Sequence, residues 1–199
     1  MARTRAFDTD EVVRAAREVF WTWGYDAAAM PELERSTGLG RSSLYNAFGS
    51  KRGLFDAAVQ SYLDEVVRPR LAALAAAPTG AEGLRGYFDS IAEAVLGSAG
   101  GQQRGCLLLA AASGRSGQDD EVRSAVDAYR AEVTGAFAAA LLRDVPAAGD
   151  GASAARVADG ARLLFALLTA GMALARINGE EAAATLRAAA DFTGPLAPC

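Results

Sequence analysis

The chain has 199 residues, of which 51% are hydrophobic and 22% charged, and its formal charge is −4. No apolar run approaches the roughly 20 residues of a membrane span, so the composition describes a globular chain with a buried core and no membrane segment. Histidine is absent and there are two cysteines, Cys106 and Cys199. Serine–histidine and cysteine–histidine nucleophiles, imidazole-held metals, disulfide frameworks and cysteine zinc sites are thereby excluded within one chain. The expectation is a protein without metal or cofactor. The first residues are polar and basic, with no apolar stretch behind them, which points to the cytoplasm.

The charge is unevenly placed. Residues 1–53 carry eight basic and seven acidic side chains, and the remainder carries 12 against 17. An acidic body is repelled by a polyanion, so any nucleic acid must be met at the N-terminal end. Arg3 and Arg5 there are either an arm for an adjacent groove or a solvated tail. Alanine occurs 47 times, strand-like alternation is lacking, and the reading is all-α with about nine helices.

In chain order, Asp8 and Thr9 before Glu11 form an N-cap signature. Val12, Ala16, Val19, Phe20 and Trp23 then share one face, and Gly24 is read as the C-terminal stop. A second helix covers about Met30–Thr37, with Pro31 in its tolerant first turn. Gly38–Leu39–Gly40 makes a tight turn into a third helix, about Arg41–Phe48. Ser50 caps a fourth, lined by Leu54, Phe55, Ala58, Tyr62 and Val66, and Pro69 and Pro78–Gly80 end this longer helix. Further helices are expected near 81–97, 105–113, 119–143, 153–178 and 180–192.

Two short helices joined by a glycine turn and packed on a longer first helix form a helix-turn-helix. Leu33, Leu39, Leu44 and Phe48 can hold the pair together. The first turn of the third helix then offers free N–H groups and a positive dipole end. Arg41, Ser42, Ser43, Tyr45 and Asn46 crowd it, and such side chains bond phosphates and base edges in the major groove. Lys51 can clamp a further phosphate. Ser43 serves equally as a helix-start residue.

The segment EVVRAAREVFWTWGYDAAAMPELERSTGLGRSSLYNAFGSKRGLFDAAV, residues 11–59, resembles the TetR family of bacterial regulators, most specifically in GLGRSSLYNAFGSKRGLF, residues 38–55. The resemblance implies a helix-turn-helix DNA-binding domain over residues 1–55 and a helical ligand-binding and dimerisation domain over 56–199. It further implies a repressor that binds a pseudo-palindromic operator in double-stranded DNA as a homodimer and is released by a small effector. Tyr45 and Lys51 align with usual phosphate contacts. Arg41, Ser42 and Asn46 align with variable base- and backbone-reading positions. The pattern departs at Ala29, Glu34, Gly40 and Ala47, where threonine, alanine, serine or threonine, and histidine are common, and these departures bear on affinity and operator.

The stretch 153–178 is apolar almost all round, as a helix buried on several sides is. Small residues Ala166, Ala170, Gly171 and Ala173 permit close approach by another helix, and the resemblance makes this segment, with 180–192, the dimer bundle. Burial within one subunit is the alternative. Tyr62, Tyr87, Phe88, Ile91, Leu109, Tyr129 and Phe165 suit either a ligand pocket or an ordinary core. With no charge cluster visible, the expected effector is small and hydrophobic. Cys106, two residues after Arg104 in a helix's first turn, is either a small buried hydrophobe or a thiolate-prone sensor of oxidants and electrophiles. Cys199 is expected to be exposed. An enzyme would need a base, and Lys51, the single lysine, is already accounted for, so none is expected.

Overall fold

A computed structural model describes residues 7–97, 104–145 and 151–192, with the backbone alone for residues 115–116, 151–153 and 192. Arg3, Arg5 and Cys199 lie outside the described residues. Every regular element described is helical. The first four are α1 (Thr9–Ala27), α2 (Met30–Thr37), α3 (Arg41–Phe48) and α4 (Lys51–Tyr62). They are followed by α5 (Arg68–Ala76), α6 (Gly80–Leu96), α7 (Leu107–Ser113), α8 (Asp120–Arg143), α9 (Gly151–Leu174) and α10 (Gly179–Phe192).

Local chemistry accounts for most of these boundaries. The Asp8 carboxylate accepts from the Asp10 and Glu11 N–H groups, and Asp119 and Asn178 cap α8 and α10 in the same way. Each satisfies donors that an uncapped helix start leaves open. Two sequence-based boundaries are corrected. The backbone does break at Gly24, but α1 resumes and runs to Ala27. Pro69 does not end the fourth helix. A π-turn over Leu63–Val67 joins α4 to α5 in one rod, with the Arg68 N–H donating to the Leu63 carbonyl. Proline's ring and missing N–H disturb the preceding turn, and the widened turn absorbs that disturbance. Counting the rod once gives the nine expected helices among the described residues.

Helix α1 packs against α2, α4 and α7, while α6, α8, α9 and α10 form the other end of the molecule. Trp23, expected inside, is 56% exposed. Trp21 turns inward instead and donates from Nε1 to the Gly105 carbonyl at 2.6 Å. A second neighbour, α7, shifts the buried stripe of α1 round the helix. Ala154–Leu174 is by length and composition long and apolar enough to cross a membrane, contrary to the sequence expectation. Here it packs on α8 and α10. A Cβ at Gly171 would meet the Leu186 side chain at 2.7 Å, so at this position the close partner is α10 of the same chain.

Candidate nucleic-acid interface and effector cavity

The α2–α3 unit is held from below. Leu33 and Leu44 are buried completely, with Leu39 and Phe48 partly buried beside them. Gly38 caps α2 at φ +70°, a left-handed conformation that side-chain-bearing residues rarely adopt, and this sets the angle at which α3 leaves. An aromatic cluster supports the far side. Phe55 lies 5.1 Å from Phe20 and 4.9 Å from Tyr25, ring centre to ring centre. Ser50 caps α4 by accepting from the Gly53 N–H at 3.0 Å.

What remains outward is the set of side chains the sequence singled out. Arg41, Ser42, Ser43 and Asn46 are exposed on α3, and Tyr45 is half-buried beside them. Arg41 sets its guanidinium 5.3 Å from the Tyr45 ring centre and donates to the Tyr45 hydroxyl at 3.3 Å. Gly40 at the N-cap supplies no side-chain acceptor, so the dipole end of α3 is presented together with these polar groups. Lys51 lies with Nζ 4.7 Å from the Tyr25 ring centre. Its burial there draws its pKa below the ordinary lysine value, while Asp26 and Tyr45 pull it back up.

The face is tied to the rest of the chain. Arg14 and Arg17 of α1 both reach Glu65, each at 2.8 Å. Arg52, at the start of α4, meets Asp119 at 3.0 Å and Glu121 at 3.2 Å at the start of α8. Arg104 pairs with Glu18 of α1 and lies over the Trp21 ring.

Under α1 opens a cavity of about 480 Å³, within the range of small-molecule sites. Of the residues expected to line a pocket, Tyr62, Tyr87, Ile91 and Tyr129 do so. Phe88, Cys106, Leu109 and Phe165 are not among its lining residues. Phe88 is wholly buried, with its ring centre 5.6 Å from that of Phe137. Phe165 lies 6.0 Å from Tyr129, ring centre to ring centre, and Leu109 packs against the core. Trp21, Arg70, Arg104 and Met172 line the cavity and were not expected there. They come from four separate stretches of chain, and no sequence spacing connects them.

Cys106 stands behind the tyrosines as the N-cap of α7, only 2% exposed. Burial pushes its thiol upward in pKa, against the Leu109 N–H, the Tyr62 hydroxyl and two weaker donors. The guanidinium expected to lower it, Arg104, pairs with Glu18 instead. Tyr62 and Tyr129 are raised well above the ordinary phenol value, again by burial first.

Residues 12–58 match the family model of the tetR family of bacterial regulatory proteins. An uncharacterized HTH-type transcriptional regulator, YezE of Bacillus subtilis, is 30% identical over 143 residues, 72% of this chain and 73% of its own. The HTH-type transcriptional repressor ComR of Escherichia coli is 34% identical over 91 residues, 45% of this chain and 43% of its own. Among solved structures, a cysteine mutant of the TetR-family regulator CifR, complexed with a 26-base-pair operator, is 28% identical with a TM-score of 0.77. That match covers 98% of this chain and all of the CifR chain.

Proposed function

The chain belongs to the TetR family of bacterial transcriptional regulators, and from that we propose that it is a repressor whose two-fold dimer holds a pseudo-palindromic operator through α3 and lets go when a small molecule fills the cavity under α1. One observation carries the DNA reading. The exposed polar residues of the helix-turn-helix gather on the face where α3 presents its start without a side-chain cap. In this reading Tyr45, Lys51 and Ser43 hold phosphates, and Arg41, Ser42 and Asn46 reach backbone and base edges. The complex of CifR with operator DNA supports DNA as the partner, and the repressor name of ComR supports the direction of control.

Residues 1–55 form the DNA-binding part in this proposal and 56–199 the regulatory part, with α4 shared across the boundary. The cavity's Trp21 and Tyr62 sit on α1 and α4, the helices that carry α2 and α3. A ligand binding more tightly to one spacing of these helices shifts the population toward it. For the dimer, Leu163 is 41% exposed and Leu142 54%, and Ala166, Ala170 and Ala173 are exposed beside Leu163 on α9. That is an apolar face suited to a partner's copy of itself. A thiol switch through Cys106 is the weaker reading, because burial holds the group away from thiolate.

The test is selection of duplexes from a genomic fragment pool by the purified full chain, followed by gel shifts on the winners. Enrichment of one inverted repeat, lost on Arg41→Ala, is expected. Recovery of no common duplex would refute the proposal.

A further inference from the structure

The cavity lining is more polar than its sequence suggested. Val66 and Val67 of the π-turn, and Arg70 one turn further along the rod, all face it. Arg70 is half-buried. Its Nη1 donates to the Val66 carbonyl at 2.6 Å, while its Nε is shut off from solvent with no hydrogen-bond partner. Guanidinium donors in such places are nearly always satisfied. Arg70 has no ion pair among the described residues, in contrast to Arg104, which also lines the cavity and is paired with Glu18. Tyr62, Tyr87 and Tyr129 add hydroxyls, and among the described residues no aspartate or glutamate lines the space. Ile91, Val95, Leu168 and Met172 add hydrocarbon and thioether to the lining.

We infer that the cavity takes an amphipathic anion, a small organic acid whose carboxylate meets Arg70 and the tyrosine hydroxyls while its apolar body lies along Ile91, Val95 and Leu168. A carboxylate pairs with the Arg70 guanidinium and offers lone pairs to phenol hydroxyls, and it restores local neutrality. An uncharged hydrophobe, the class first expected, leaves that charge unmet. The inference rests on the proposal that this cavity is the effector site. The position of Arg70 follows from the chain itself. Pro69 forces the widened turn, and the residue after it is carried round to the cavity side.

The experiment titrates the full chain, without DNA, with octanoate, 4-phenylbutyrate and 2-naphthoate, each paired with its primary amide, following Trp21 fluorescence and heat. Wild-type protein should bind at least one acid about tenfold or more tighter than its amide, and Arg70→Met should erase that preference. Equal or better binding by every amide overturns the inference, as does full preference in Arg70→Met. The wild-type comparison decides even where the variant folds poorly. A parallel gel shift separates the two readings: acids that bind without releasing DNA leave the anion site standing and defeat the effector-release proposal.

Discussion

Replacing Gly53 by alanine tests how α3 is held. Alanine in a helix is ordinarily better than glycine by about 0.5–1 kcal/mol. At this position a Cβ would stand 2.1 Å from the Phe48 carbonyl oxygen, well short of the 3.4 Å at which ordinary contact begins. The obstructing atom is backbone, at the last residue of α3, so no rotamer change relieves it. Overpacking of this kind costs about 1–3 kcal/mol. The clash outweighs the propensity gain, and the net loss is about 1–2 kcal/mol. Gly86→Ala and Gly135→Ala are the controls, since both glycines sit in helices with nothing within 4 Å of the added carbon. Urea unfolding at one protein concentration measures all three. The controls should shift upward and Gly53→Ala downward, with operator affinity falling too because α3 must move. A Gly53→Ala midpoint at or above wild type would refute the account of the α3–α4 corner.

Arg41→Ala should weaken operator binding and lower the slope of log affinity against log salt by about one, measured by fluorescence anisotropy across a salt series. Asn46→Ala should relax base preference at one operator position, by about 1–3 kcal/mol, as read from a mutated operator panel. Glu65 sits below the ordinary carboxylate range because Arg14 and Arg17 donate to it. Its contribution is therefore present above about pH 4.3 and lost as pH falls through its lower folded value. Wild type should lose stability faster than Glu65→Gln on acidification below that point, and parallel acid curves would count against the ion pairs between α1 and the π-turn. Leu163→Glu should give monomers in sedimentation at concentrations where wild type is dimeric, while an unchanged sedimentation coefficient would place the dimer face elsewhere.

The helix-turn-helix part was legible in the residues because its structure is local. Asp8 caps the helix it begins, Gly38 supplies the left-handed turn, and Leu33 and Leu44 fall where helical spacing must bury them. Neighbours within a few residues settle each of these choices, so their signals survive in one dimension. The expected side chains on α3 are outward for the same reason, since the residues that pack leave the others exposed. The cavity was legible only in part. Tyr62, Tyr87, Ile91 and Tyr129 could be named as apolar or aromatic, but cavity and core ask for the same residue types. Which aromatic lines an empty space and which fills one, as Phe88 does, depends on the mutual placement of helices far apart in sequence.

Tertiary structure alone decided three matters. Pro69 could be accommodated because the rod widens over Leu63–Val67. Arg104 was claimed by Glu18 across the molecule, which left Cys106 to burial and the tyrosine hydroxyls. Arg70 was left without an ion pair among the described residues, at the lining of a cavity. Helix type and caps are governed by energies that act within a turn or two of chain, and the sequence carries those directly. Charge pairing and enclosed space are governed by which distant segments meet, and that is settled only when the whole core closes.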